Sequence, residues 1–145
     1  MKKKSLVNQR FMKYQIEKQE RYAILTLHED NLNSAIAPTL KSDFIILHNE
    51  GVKNFILDLS NVKFVDSSGL SAILTAHRLW KQDGSFVVSG KLDPMIVNLF
   101  EISRLDTILT VIPTIDEAID YVLMEEIERD LQAEEEESGA EEDAD

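Results

Sequence analysis

Two adjacent serines, Ser67 and Ser68, stand between an acidic residue, Asp66, and a glycine, Gly69. The apolar residues that follow recur at helical spacing, so these four residues mark the start of a helix. Unpaired backbone N–H groups at that end of a helix favour negative charge. The serine hydroxyls can therefore cap the helix, bind an anion or accept a phosphate. A turn that simply leads into a helix is the alternative that these residues leave open.

Ser67 and Gly69 have different expected roles in the first helical turn. We expect Ser67 to cap the helix, because serine is favoured at the N-cap. No capping box is predicted, since Leu70 stands where the glutamate or glutamine would be. A glycine inside a helix costs about 0.5–1 kcal/mol relative to alanine. Another backbone or a ligand is therefore expected to approach Gly69 closely.

A buried strand and an amphipathic helix must position the motif. Residues 55–59 form an apolar run before it, which is typical of a strand that is covered on both faces. The helix after the motif has an apolar face of Leu70, Ile73, Leu74, His77 and Trp80. The motif thus lies at the carboxyl side of a strand, the rim of an α/β sheet at which binding sites tend to form.

The remaining elements predict one α/β domain with a mixed sheet. Strands at residues 11–17 and 21–27 are separated by too few residues for a helix, so we expect an antiparallel hairpin. Further strands are predicted at 54–60, 85–89 and 107–112, with helices starting near Ser34, at the motif, at Pro94 and at Thr114. The predicted order is β-β-α-β-α-β-α-β-α, with about five strands and four helices.

The charge of the chain is concentrated at its carboxyl end. The net charge is −12, but residues 1–113 carry 14 basic and 12 acidic residues, whereas residues 114–145 carry one basic and 15 acidic residues. We predict a disordered basic segment at 1–10, a folded domain at 11–127 and an acidic, disordered tail at 128–145. Residues 134–145 contain no apolar side chain larger than alanine and are expected to be disordered. Nucleic acid is not an expected partner of such a tail.

Several classes of site and location are not expected. The chain has no cysteine, and its three histidines show no ligand spacing, so the sequence predicts no disulfide, metal site or cofactor. His77 lies about 13 Å along the helix from Ser68, at ~1.5 Å per residue, and could not activate it as a nucleophile. We therefore expect no enzyme. No apolar run reaches the ~18 residues of a membrane span, and no signal peptide is visible, so a soluble cytoplasmic protein is expected.

The motif and its surroundings resemble the STAS domain family, which includes bacterial anti-sigma factor antagonists and the cytoplasmic domains of sulfate transporters. The resemblance covers roughly residues 11–125. It rests on residues 55–60 and 64–70, on the glycine turn and strand at 84–89, and on residues 99–103 at the end of a helix. It implies a STAS-like fold and a protein that acts by binding other proteins.

The resemblance also implies a regulatory site. The second serine of the family's motif, which matches Ser68, is phosphorylated by a partner that is both an anti-sigma factor and a serine kinase. The unphosphorylated form binds that partner and frees the sigma factor, and a serine phosphatase resets the cycle. Asp66 would present the hydroxyl or orient the kinase, and Gly69 would keep the surface open for a partner backbone. The loop of Asn31 and Asn33 neighbours the motif in the family.

Two features of the sequence depart from the family pattern. The loop at residues 28–33 lacks the usual glycine and has asparagine where aspartate is common. The acidic tail also lies outside the pattern. A STAS subunit of a larger signalling or lipid-transport complex is the main alternative.

A receiver-like phosphoacceptor domain is a weaker alternative, since Asp58 ends a buried strand as such a site requires. That fold, however, needs a helix between its first two strands, and it needs a lysine after the last one. The short gap between the first two strands and the residues Ile112, Pro113 and Thr114 meet neither requirement.

Overall fold

The computed structural model describes residues 3–4 and 13–144, with side chains from residue 13 to residue 139. Eight strands occur in this part of the chain: β1 (Lys3–Lys4), β2 (Tyr14–Lys18), β3 (Ala23–Leu27), β4 (Asn31–Leu32), β5 (Asn54–Asp58), β6 (Phe64–Val65), β7 (Ser85–Ser89) and β8 (Thr110–Ile112). The four α-helices are α1 (Ala37–Asn49), α2 (Ser67–Trp80), α3 (Pro94–Ile102) and α4 (Ile115–Ala144). The α/β class and the four helices predicted from the sequence are confirmed.

The main sheet is mixed, with the strand order β1-β2-β3-β5-β7-β8. Strands β2 and β3 form the expected antiparallel hairpin, in which Tyr14 lies opposite Leu27. The pairs β3–β5, β5–β7 and β7–β8 are parallel. The hairpin leaves no helix between the first two long strands, which excludes the receiver-like arrangement.

Helices cover both faces of the sheet. One face, with Leu25, Leu57 and Val88, packs in the larger core cluster together with the buried residues of α1, α2 and α3. The other face, with Ile24, Ile56 and Val87, packs against Ala118 and Val122 of α4. Because successive residues of a strand point to opposite faces, the central strands must be apolar throughout. This explains the apolar residues Phe55, Ile56 and Leu57 in the middle of β5.

Local signals in the sequence set several helix ends. Asp93 caps α3 by accepting the backbone N–H of Met95 at 2.9 Å, and Pro94 occupies the first helical position. Pro38 lies in the first turn of α1, and Gly51 follows that helix with a φ of +95°. Thr114 accepts the N–H of Glu117 at 3.2 Å just before α4 begins.

Three details of the sheet and its edges differ from the sequence-based expectation. The last strand begins at Thr110 and not at Thr107, because Leu105–Thr107 form a 3₁₀ turn that places Leu105 in the core. Lys3 and Lys4 pair with β2, whereas residues 1–10 were expected to be disordered. Strands β4 and β6 form a separate two-stranded ladder that the sequence did not predict. Residues 11 and 12 of the first predicted strand lie outside the described part of the chain.

The expectation of a disordered tail is corrected for residues 134–144, which continue α4 as a helix through Ala144. The low apolar content of this segment was taken as a sign of disorder. Glutamate and alanine, which make up most of this segment, are good helix formers, however, and a helix that already exists elongates without a nucleation cost. Residues 130–138 are all exposed, so this extension leaves the domain and does not pack on it.

Helix α4 is fixed to the sheet just before it leaves the domain. The Arg129 guanidinium donates to Ser85 Oγ at 2.7 Å and to Asn54 Oδ1 at 3.2 Å. One turn earlier, Glu126 pairs with Arg21 at 2.7 Å. These contacts reach two residues beyond the predicted domain end at 127. No helix in the described part of the chain is long and apolar enough to cross a membrane.

Candidate functional site

The serine motif lies at the carboxyl end of the parallel strands, beside the loop that follows β3. Strand β4 pairs with β6, so Asn31 lies opposite Phe64 and Leu32 lies opposite Val65. The Leu32 carbonyl also accepts the backbone N–H of Asp66 at 3.2 Å. This ladder confirms the expectation that the loop of residues 28–33 lies next to the motif.

Asp66 is the residue that caps α2. Its backbone is extended, with φ −97° and ψ −172°, and its carboxylate accepts the N–H of Gly69 at 2.9 Å. Ser67 and Ser68 are the first two residues of the helix. The prediction that Ser67 is the cap is therefore wrong. A carboxylate can satisfy the same N–H and is also favoured by the positive end of the helix dipole.

Gly69 is buried against the loop of Leu32. A Cβ atom at position 69 would collide with the carbonyl oxygen of Leu32 and would lie 2.8 Å from both Leu32 Cγ and Val65 Cγ1. The expected close approach of a backbone is thus present, but the backbone belongs to the same chain. Gly69 holds the β4 loop against α2 and is not part of an open surface.

The hydroxyl groups of both serines remain available. Ser67 is exposed and Ser68 is half-buried. Neither hydroxyl has a hydrogen-bond partner within residues 13–139, where side chains are described. Because Asp66 already caps the helix, no structural role occupies the serine hydroxyls, and either can accept a new group.

A lysine of the neighbouring helix reaches the first turns of α2. Lys41 Nζ, from α1, donates to Ser71 Oγ at 2.9 Å. Ser71 follows Ser68 by three residues, so their side chains are neighbours on the helix surface. A positive charge therefore lies within about one helical turn of the Ser68 hydroxyl.

The two asparagines proposed for this site have different surroundings. Asn33 is half-buried and organises the turn before α1, since its side chain accepts the N–H of Ala35 at 3.0 Å. Its carbonyl accepts the N–H groups of Ile36 and Ala37. Asn31 is exposed at the rim, beside Phe64. Of the two, Asn31 is the one whose side chain faces solvent next to the motif.

An apolar groove of about 210 Å³ lies between β6 and α3, directly before the motif in the chain. Phe64 and Ile102, two of its lining residues, are 53% and 72% exposed. Met95 and Leu99 also line it. The groove was not predicted from the sequence. Its signal was that α3 carries large apolar residues besides the buried Ile96 and Phe100.

A larger, mainly polar cavity of about 610 Å³ opens at the same end of the sheet. Its lining includes His28, Ser60, Lys63, Lys91 and Asp93. No group of three or more histidine, aspartate or glutamate residues within the described ranges is placed to hold a metal ion.

His77 lies further along α2 than the serine motif. Its burial lowers its pKa, and the positive charges of Lys81 and Arg78 lower it further.

Comparisons with known proteins agree with this architecture. The family model described as the STAS domain matches residues 13–118. A crystal structure of an anti-sigma factor antagonist from Mycobacterium paratuberculosis is 20% identical, with a TM-score of 0.67 over 75% of this chain and 92% of that one. The Thermotoga maritima protein TM1081 is 25% identical, with a TM-score of 0.65 over 74% of this chain and 86% of its own.

A third similar protein has been solved in two states. The unphosphorylated form of the anti-sigma factor antagonist SpoIIAA is 21% identical, with a TM-score of 0.66 over 75% of this chain and 95% of that one. The phosphorylated form of SpoIIAA from Bacillus is 22% identical, with a TM-score of 0.61 over 75% and 98% of the two chains. At these identities the structures show a common fold. Together with the family match over most of its length, they show that this chain belongs to the STAS domain family.

Proposed function

We propose that this protein is an anti-sigma factor antagonist that is regulated by phosphorylation of Ser68. In its unphosphorylated form it binds an anti-sigma factor that is also a serine kinase, and the phosphorylated form does not bind. Membership of the STAS family and the similarity to named antagonists support the general function. Ser68 is chosen because it matches the second serine of the family's motif. The structural observation that supports it is that Asp66 caps α2 and leaves the serine hydroxyl without a structural role.

The position of Ser68 suits a phosphate that must leave the fold intact. A phosphate adds about −1.5 to −2 charges at neutral pH. The first turn of a helix favours negative charge, and Lys41 lies about one turn away. The phosphorylated protein is therefore expected to keep its fold, so the modification acts on binding and not on folding.

The groove beside the motif explains how the charge would control binding. Phe64 and Val65 line the groove and immediately precede Asp66, so an anti-sigma factor seated there would also cover the start of α2. A phosphate beneath such a partner would lose its water, and this desolvation is costly even with Lys41 about one turn away. A local change of charge thus becomes a change in affinity.

The other residues of the motif have supporting roles in this proposal. Asp66 positions the first helical turn that presents Ser68, and Ser67 and Asn31 lie at the edge of the covered surface. A serine phosphatase removes the phosphate and restores binding. The protein itself carries out no reaction, and it acts in the cytoplasm.

The experiment is recovery of the partner with the tagged protein from the cells that produce it. We expect a small ATP-binding kinase, and we expect Ser68→Ala to recover as much of it as the natural sequence does. Ser68→Asp should recover less than about a tenth as much, which corresponds to about 1.4 kcal/mol. Ser67→Asp is the matched control, because it adds the same charge one position earlier at an exposed site.

Two results would reject this function. Equal loss of the kinase with Ser67→Asp and Ser68→Asp would show that the charge acts without regard to position. Recovery of a large signalling assembly or a lipid transporter in place of a kinase would favour the alternative, an interaction subunit of such a complex.

A further inference from the structure

Helix α4 has a second apolar face, which points away from the sheet. Its inner face, with Ala118 and Val122, is fully buried. On the outer side, Met124 and Leu131 are 61% and 56% exposed, and Tyr121 and Ile127 are also exposed. The spacings of three, three and four residues place these four side chains on one side of the helix. We call them the outer stripe.

The orientation of the outer stripe is fixed by the contacts of the inner face. Arg129 binds Ser85 and Asn54, and Glu126 binds Arg21, so the helix cannot roll to bury the stripe against its own domain. A helix that is apolar on two sides is typical of one covered on two sides. The stripe also continues to Leu131, two residues beyond Arg129.

Acidic residues lie on the same side of the helix as the stripe, between its apolar residues. Glu117 and Asp120 lie four positions before Tyr121 and Met124, and Glu128 lies four positions after Met124. All three are exposed. Residues 114–145 contain 15 acidic residues and one basic residue, Arg129, which is engaged with the sheet. The outer surface of α4 is therefore both apolar and strongly negative.

We propose that the outer stripe is a docking site for a basic amphipathic helix of another protein. Apolar residues of that helix would cover the stripe, and its lysines or arginines would meet Glu117, Asp120 and Glu128. This complementarity argues against a second copy of the chain, because two such helices would bring their acidic residues together.

The amino-terminal lysines of the same chain do not supply the basic partner. Lys3 and Lys4 pair with β2, so they lie on an edge strand of the sheet. The docking site lies on the α4 face of the sheet, whereas α2 and the serine motif lie on the other face. The proposal is therefore independent of phosphorylation at Ser68.

The test is binding of a synthetic helical peptide to the full chain. The probe is a fluorescent peptide of leucine and lysine, about four turns long, with its leucines on one helical face. We expect saturable binding that becomes weaker as the salt concentration rises. The double variant Met124→Ser, Leu131→Ser should lower the affinity at least about tenfold. A peptide with glutamate in place of each lysine should not bind.

The matched control is Ile45→Ser, Ile46→Ser, which removes two exposed apolar residues of α1 and should leave binding unchanged. Binding that is insensitive to the α4 double variant would show attraction by charge alone and overturn the proposal. Light scattering tests whether a second copy of the chain covers the stripe. A dimer of the natural chain that the α4 double variant converts to a monomer would show that a second copy covers the stripe.

Discussion

The carboxylate of Asp66 accepts the backbone N–H of Gly69 at 2.9 Å, and this bond sets the start of α2. It leaves Ser67 and Ser68 inside the first turn with free hydroxyls. The division of roles in the motif follows from it: the acid holds the helix end, and neither serine hydroxyl is needed for that purpose.

Replacement of Asp66 should therefore cost more stability than replacement of either serine. Asp66→Ala should lower the free energy of unfolding by about 1 kcal/mol, the usual value of a lost cap. Ser67→Ala should change it by less than about 0.5 kcal/mol, as is usual for exposed sites. Urea unfolding measures both. A larger loss in Ser67→Ala than in Asp66→Ala would show that the serine is the cap.

Gly69→Ala should be strongly destabilising, because the new Cβ atom would meet the Leu32 carbonyl and the Val65 side chain. Overpacking of this kind costs about 1–3 kcal/mol. Gly139→Ala is the matched control, since a Cβ atom there has no neighbour within 4 Å and the residue lies in a helix. That variant should be neutral or slightly stabilising. A Gly69→Ala protein of unchanged stability would show that the loop of Leu32 moves to accommodate the new Cβ atom at little energetic cost.

Much of the fold could be predicted from local patterns. The hairpin, the buried strand β5 and the start of α3 follow from alternation, apolar runs and the Asp93–Pro94 signal. The β4–β6 ladder was missed because two residues are too few to show a period. The cap was assigned to Ser67 because serine and aspartate are both good caps, and only the backbone geometry distinguishes them.

The groove beside the motif and the outer stripe could not be predicted with the same rules. Periodicity identifies the face of a helix that enters the core, and it gives no reason to expect apolar residues such as Ile102 or Met124 on the other side. The helical extension beyond residue 133 was missed for a different reason. A segment with few apolar residues is not expected to pack against the domain, and the sequence analysis wrongly concluded that such a segment would not form a helix either.

The contacts of Arg129 should stabilise the domain although they lie near the end of α4. Arg129→Ala would leave Ser85 Oγ without its hydrogen-bond donor, and it would remove the hydrogen bond that Asn54 Oδ1 accepts from Arg129. Hydrogen bonds to a charged group contribute about 1.5–3 kcal/mol, so we expect a loss in that range in thermal or urea unfolding.

Deletion of residues 134–145 is the control for Arg129→Ala. The residues of this segment up to 138 are exposed, and we expect a change below about 0.5 kcal/mol in moderate salt. Equal effects of the two changes would show that the extension, and not the arginine, anchors the helix.

Tyr14 should make the fold sensitive to alkaline pH. Burial, together with the hydrogen bond to Asp43 and the charge of that carboxylate, raises the pKa of Tyr14. The folded state therefore holds the phenolic proton more tightly than the unfolded state does. The stabilisation is complete below about pH 10, the ordinary pKa of tyrosine, and is lost progressively above it. Tyr14→Phe should unfold with a weaker pH dependence above pH 10, and parallel profiles for the two proteins would contradict this.

The central claim is that Ser68 is the residue whose phosphorylation controls partner binding. The direct measurement is to incubate the protein with its co-purified kinase and ATP, and to locate the phosphate by fragmentation of the tryptic peptide 64–78, which carries both serines. We predict phosphate on Ser68, none on Ser68→Ala, and loss of kinase binding by the phosphorylated protein. Phosphate on Ser67 alone, no phosphate on the peptide, or undiminished binding by protein phosphorylated at Ser68 would contradict the claim.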